Sequence, residues 1–321
     1  MTISGKFSLF FDLPIEKQEE ILFKLDFNSI KNLCAVAALS RHPGAETFSQ
    51  GLCNGYAFWK RKLRQDFHKE YPEILRASER TGEYDSVDFW RWSYRNLLYE
   101  APKKLSEAVA EGKLSEVKRF INIGINPDMR SVEGYTPLMN ASSYGYTDIV
   151  QELLKNGVEV DTQDCYGHTA LVGATKEKHP KVVDVLLQHS SDPNIQTNSG
   201  ATALMWSSYL GCIEITKLLL KHGTDIDAKS KVGSTALMQA AKWGQINVLK
   251  ELLFSGADPN IHNTYGWTAL MLASRQGHLK IVELLLTFGA DKDIESDGGT
   301  ALNMAIEWGH TLIAEIISDH K

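Results

Sequence analysis

The ten histidines and four cysteines are the side chains of this 321-residue chain most capable of binding metal or attacking a substrate, and neither set is spaced for it. Cys34, Cys53, Cys165 and Cys212 form no C-x-x-C pair and no Cys/His ligand cluster. They read as small apolar residues in a reducing compartment, not as a disulfide or zinc framework. The histidines fall largely in turns. Neither G-x-x-x-x-G-K-[ST], H-E-x-x-H nor G-x-S-x-G occurs. No catalytic, cofactor-binding or metal-binding residue is therefore expected, and the chain reads as a non-enzyme. What remains is the chemistry of recognition: tryptophans, tyrosines, lysines and arginines whose positions depend on the elements that carry them.

Apolar residues make up 43% and charged residues 23%, the profile of a soluble folded protein, and the length favours two domains or a repeat array over one core. No apolar run approaches the roughly 20 residues needed to span a membrane. The apolar stretch between Lys6 and Asp12 is too short for a signal peptide, so an intracellular, cytoplasmic location is expected. Of the 34 Lys and Arg and 40 Asp and Glu, residues 1–100 hold 14 of each, so the acidic excess lies entirely beyond residue 100. Phosphate backbones require clustered positive charge, and nucleic acid is accordingly not an expected partner.

Those later residues are periodic. Gly134, Gly167, Gly200, Gly233 and Gly266 stand 33 residues apart, and Gly298 follows after 32. Each leads to a threonine (Thr136, Thr169, Thr202, Thr235, Thr268, Thr300) and then a leucine (Leu138, Leu171, Leu204, Leu237, Leu270, Leu302). Glycine suits the positive φ of a tight turn, and the threonine hydroxyl caps the N–H groups of a following helix. That short helix stops at Gly145, Gly211, Gly244, Gly277 and Gly309. A second helix presents Leu153-Leu154 and its equivalents, ending with Ile316-Ile317. One unit departs: Lys178 and Ser190 replace the two helix-ending glycines, around His179-Pro180. Either this is a soft joint, since a non-glycine in the left-handed region costs about 1 kcal/mol, or Pro180 simply opens the second helix.

This pattern resembles the ankyrin repeat. The unit G-W-T-A-L-M-L-A-S-R-Q-G-H-L-K-I-V-E-L-L-L-T-F-G-A-D, from Gly266, carries nearly the whole motif. The resemblance implies an all-α solenoid of about seven repeats over residues 101–321, with residues 105–128 as the N-terminal cap. In the last helix Leu312, Ile313, Ile316 and Ile317 are expected to face inward and Glu315, Ser318 and Asp319 outward. The family's histidine is replaced by Met139, Val172, Met205, Met238, Met271 and Asn303. Apolar packing is expected to take over its work of tying adjacent loops.

Ankyrin partners sit on the turn tips and first helices. The positions this repeat leaves free there give Tyr135, Tyr144, His168, Trp206, Tyr209, Lys242, Trp243, Trp267, Arg275 and Trp308 as target-binding candidates, with Trp243 and Trp308 foremost. Aromatic and arginine side chains bury large areas with few torsions to freeze. The competing reading is that several are half-buried against the neighbouring repeat.

Residues 1–100 do not share the period and read as a small helical domain. F-D-L-P-I-E-K-Q-E-E-I-L-F-K-L-D-F-N-S-I-K-N-L-C-A-V, with F-W-K-R-K-L as its ending, resembles the F-box. That resemblance implies docking on a Skp-type adaptor of a cullin–RING ubiquitin ligase through Leu13, Pro14, Ile21, Leu22, Phe23, Leu25, Ile30 and Leu33. F-box proteins with ankyrin repeats occur in large DNA viruses and intracellular bacteria, which would place this chain in a host-cell cytoplasm. A plain helical cap on the array, with Trp90 and Trp92 in its core, is the alternative. The basic run Lys60 to Arg64 reads as a solvated helix face or, less readily, a nuclear-import signal. The absence of a Gly/Ser/Pro-rich linker after Tyr99 predicts a rigid join. Two functions stay open: a ubiquitin-ligase adaptor, and a scaffold that binds or sequesters a partner without ubiquitin.

Overall fold

A computed structural model describes residues 61–65 and 87–320. The docking candidates Leu13, Pro14, Ile21, Leu22, Phe23, Leu25, Ile30 and Leu33 lie outside the described residues, as do the side chains of Trp90 and Trp92. The packing divides after Pro127, and each part is treated by itself.

In the first part, residues 61–65 form a helical turn. Arg61 and Arg64 are exposed, as a solvated basic face requires, but Lys62 is buried together with Leu63. At 100° per residue, one turn cannot keep four consecutive side chains in water. Helix α1, Val87–Ala110, runs on past Tyr99 and through Pro102. A proline inside a helix removes one N–H but need not end it when flanking turns are packed, and here Ala101, Leu105, Ala108 and Val109 are all buried. Helix α2, Leu114–Asn122, buries Val117 and Phe120, while Arg119 pairs with Glu116 at 3.2 Å.

The second part is a run of helix pairs. The first members are α3 (Pro137–Ser143), α5 (Ala170–Lys176), α7 (Ala203–Leu210), α9 (Ala236–Lys242), α11 (Ala269–Gln276) and α13 (Ala301–Glu307). The second members are α4 (Thr147–Lys155), α6 (Pro180–Gln188), α8 (Ile213–Lys221), α10 (Ile246–Phe254), α12 (Leu279–Thr287) and α14 (Thr311–Asp319). Each first helix packs on the next first helix and each second helix on the next second helix. Among the described residues no strand forms, only an isolated bridge between Ser296 and Gly299.

The repeat residues perform the tasks their types allow. All six threonines hold extended backbone at the N-cap and accept a hydrogen bond from the N–H three residues on. Pro137 occupies the first turn of α3, where its missing N–H costs nothing. The leucine pairs are buried, except that Leu220 and Ile316 are only half so. In the last turn the left-handed residue is Gly299, at φ 86°, not Gly298. The glycine period of 33 therefore persists to Gly299, and the deletion removes the residue between glycine and threonine. Lys178 and Ser190 do adopt positive φ (61° and 65°), the strained backbone that the soft-joint reading starts from, and Pro180 does open α6.

Two expectations need correction. Leu312 is exposed rather than inward, because it stands in the register of Lys280, which faces solvent on the outer side; Ile306 is exposed as well. The replaced histidine does leave apolar side chains, and Met139, Val172, Met205, Met238 and Met271 are buried. The loops, however, are tied by backbone. Cys165 N–H donates to Glu133 C=O (3.1 Å), Asn198 to Tyr166 (2.9 Å), Lys231 to Ser199 (3.0 Å) and Thr264 to Val232 (3.1 Å). These bonds depend on chain path, so no side chain announces them.

Candidate protein-recognition site

Two further ladders fix one repeat against the next. At the loops after the second helices, Asp128, Asp161, Asn194, Asp227 and Asn260 accept from the backbone N–H of Glu159, Asp192, Asp225, Asp258 and Asp291, each 31 residues on. Burial pushes the Asp227 carboxyl above its usual range, against the opposing pull of the Asp258 N–H.

The second ladder runs along the ends of the first helices. The residue after each mid-repeat glycine would ordinarily cap its own second helix, yet none does so with its side chain. Four reach back to the preceding repeat instead. His179 meets the Ser143 carbonyl at 3.0 Å, Gln245 that of Tyr209 at 3.3 Å, His278 that of Lys242 at 3.3 Å and His310 that of Arg275 at 3.2 Å. This approach adds to the positive φ in favouring glycine at the facing residue. A Cβ on Gly145, Gly244 or Gly277 would lie 2.6, 2.9 or 2.6 Å from the neighbouring imidazole, and one on Gly211 would lie 2.1 Å from Gln245 Oε1. Where glycine gives way to Lys178, the residue in register is Cys212, with a side chain shorter than the imidazoles and amide at the other positions. Among the described residues no bond then reaches the Lys176 carbonyl, and the Cys212 thiol, pushed up by burial, points to the Leu210 carbonyl at 3.9 Å.

Three of the four carbonyls held in this way, those of Tyr209, Lys242 and Arg275, belong to residues predicted to meet a partner. On that row Lys176, Tyr209, Lys242 and Arg275 succeed one another, with tryptophans between them. The Lys176 ammonium lies 4.9 Å from the Trp206 ring centre, and Trp206 meets Tyr209 edge to face at 6.0 Å. Tyr209 meets Trp243 at 5.0 Å, and Lys242 covers Trp243 at 5.4 Å. The Arg275 guanidinium sits 4.9 Å from Trp267 and 4.7 Å from Trp308. Such cation–ring contacts are worth about 0.5–1 kcal/mol at exposed sites.

The candidates sort by exposure. Tyr144, Tyr209, Lys242, Trp243 and Trp308 are exposed, the tryptophans by 48% and 51%, too much for core packing. Tyr135, His168, Trp206, Trp267 and Arg275 are half-buried, as the competing reading held. Trp206 Nε1 is buried with no hydrogen-bond partner. Seven of the ten thus join the row from Trp206 to Trp308, while Tyr144, Tyr135 and His168 stand apart, nearer the first repeat. There Tyr144 meets Tyr146 at 5.8 Å. His168 Nδ1 stands 3.3 Å from Asp164 Oδ2, an ion pair when the imidazole is protonated. Burial and then the Asp164 charge raise the Tyr135 phenol.

At the turn tips, sequence reasoning chose the residue after the glycine and missed the one before it. The most exposed aromatics there precede the glycine (Tyr166 and Tyr265, with Val232 between them in register), whereas the residue after it turns toward the helices. The signal available was a polar acceptor three residues before each glycine. Ser131, Asp164, Thr197, Ser230 and Asn263 each accept from the residue after the glycine and so fix the turn's hand.

Between the tips and the first helices lies a groove of about 690 Å³, lined by Met238, Lys242, Tyr265, Trp267, Leu272 and Arg275 among others. Among the described residues no helix is long and apolar enough to cross a membrane, and no cluster could hold a metal ion. A stack of helix pairs with capped turns, exposed tips and an aromatic row is a surface for holding proteins. The family model for ankyrin repeats (3 copies) matches residues 105–197, 189–263 and 237–321, and the chain belongs to the ankyrin-repeat family. No curated protein matches it. Ankyrin repeats support protein–protein interaction, and that is the class of activity this array serves.

Proposed function

We propose that this chain is a non-catalytic, cytoplasmic adaptor: its array, seven repeats with both caps counted, recruits a target protein, and its first hundred residues dock on a Skp-type adaptor of a cullin–RING ubiquitin ligase. Recruitment is carried by the row of Trp206, Tyr209, Trp243, Lys242, Arg275 and Trp308, with exposed indoles that no core requirement explains. An exposed aromatic row is where binding energy concentrates. Docking is supported by the F-D-L-P-I-E-K-Q-E-E-I-L-F-K-L-D string standing ahead of a protein-binding array. In that reading Leu13, Pro14, Ile21, Leu22, Phe23, Leu25, Ile30 and Leu33 supply the apolar contact.

The test is co-purification of the full chain with a Skp-type adaptor, repeated with the Leu13→Ala plus Leu25→Ala variant. Stable co-elution that the double variant abolishes supports the ligase role. Failure to co-elute, or indifference to the two substitutions, leaves a scaffold that binds or sequesters its target through the same array.

A further inference from the structure

The geometry points to an acidic, extended segment of the target protein as the occupant of the groove between the tips and helices α9 and α11, its carboxylates received by Lys242 and Arg275. This rests on the reading of the array as a target-binding surface and specifies the target's chemistry. The groove lining combines an apolar floor, Met238 and Leu272, with aromatic walls, Tyr265 and Trp267, and two cations at its helix side. Neither cation has a carboxylate partner within ion-pair distance among the described residues; each is balanced only by the ring faces of Trp243, Trp267 and Trp308. Asp297, at the rim, is the single carboxylate among the lining residues. A cation held against a ring face keeps its N–H donors free at the edge, and carboxylates are the acceptors that bind such donors most strongly.

Backbone placement makes the pair a ruler. The carbonyls of Lys242 and Arg275 are held by His278 and His310, so both side chains spring from fixed points one repeat apart. Adjacent packed helices lie about 8–10 Å apart. A polyproline-type segment rises about 3.1 Å per residue with three residues per turn. Acidic residues at i and i+3 of such a segment therefore fall on one side, about 9 Å apart. The preferred occupant carries two carboxylates three residues apart, with an apolar side chain between them turned toward Trp267 and Leu272.

The probe is a random dodecapeptide library displayed on phage and selected against the full chain, with selected peptides measured by fluorescence polarisation. Acidic residues three apart should be enriched. Lys242→Ala plus Arg275→Ala should weaken the selected peptides at least about tenfold while circular dichroism at the assay temperature shows the helical content unchanged. Arg275→Glu should turn the selection toward basic peptides. Neutral or basic peptides from the natural chain, lost on Trp267→Ala but indifferent to the cation variants, would overturn the acidic assignment and leave the array a binding surface. Failure to select any peptide, or selected peptides indifferent to all these substitutions, would count against both.

Discussion

Histidine at position 212 should be harmful in the natural chain and beneficial once Lys178 is glycine. Every other ladder position pairs a left-handed glycine with an imidazole or amide from the next repeat, at distances that exclude a Cβ. Lys178 carries that Cβ at φ 61°, and Cys212 accommodates it. The left-handed conformation costs a non-glycine about 1 kcal/mol, and glycine's added freedom in the unfolded chain returns about half of that. Lys178→Gly alone should therefore stabilise by about 0.5 kcal/mol. Cys212→His alone must either clash with the Lys178 side chain or swing into solvent, at a cost of about 1 kcal/mol or more. In the double variant the imidazole can seat as His179 and His278 do and donate to the Lys176 carbonyl, a bond worth about 1 kcal/mol. The coupling between the two substitutions should then be about 2 kcal/mol, far outside the 0.3–0.5 kcal/mol scatter of independent sites. Urea denaturation followed by circular dichroism gives the four midpoints. Because repeat arrays can unfold in stages, hydrogen exchange of the α5 and α6 amides should show the same ordering locally. Additive midpoints would refute the claim that lysine and cysteine are a matched pair.

Three further outcomes follow from the same geometry. Asp227→Asn should raise the urea midpoint at neutral pH, because the fold lifts this carboxyl's pKa and so penalises its charged form, while Asn194 and Asn260 accept the equivalent bond uncharged. The advantage should shrink as pH falls and vanish below about pH 3, where the carboxyl is protonated folded and unfolded alike; a lower midpoint at pH 7 would contradict it. His278→Ala should cost about 1 kcal/mol and accelerate hydrogen exchange in α9 and α11 more than in α3. Trp243→Ala with Trp308→Ala should lower stability by only about 0.5–1 kcal/mol per site, the worth of the cation–ring contact each loses, yet weaken target binding at least tenfold in calorimetry; Trp206→Ala, half-buried, should lower the midpoint further.

How much of this was readable depends on how narrowly each position constrains residue type. Left-handed backbone calls for glycine, a helix N-cap for a short hydroxyl, and a buried helix face for leucine, so the period, the helix order and the N-caps were legible from identities alone. The inter-repeat ladders were present in the sequence with the same period but in mixed letters. Asp128, Asp161, Asn194, Asp227 and Asn260 share an acceptor, and His179, Gln245, His278 and His310 share a hydrogen-bonding ring nitrogen or amide. Matching by chemistry instead of identity would have found both, and Cys212 would then have stood out as the exception answering Lys178.

Exposure was harder to read, since it is set by a neighbour about 30 residues away. Trp206 and Trp243 look alike in sequence, one on a first helix and one just past its end. Trp206 is flanked by Lys176 from the previous repeat and Tyr209 from its own helix, whereas Trp243 touches Tyr209 with one edge and leaves much of its ring to solvent. The same dependence joins fold to site. The imidazoles and the amide that hold one repeat to the next do so at the carbonyls of Ser143, Tyr209, Lys242 and Arg275, three of which carry candidate binding side chains. Stacking and recognition thus act on the same residues, and a substitution that loosens the ladder should blunt binding without touching any contact to the target.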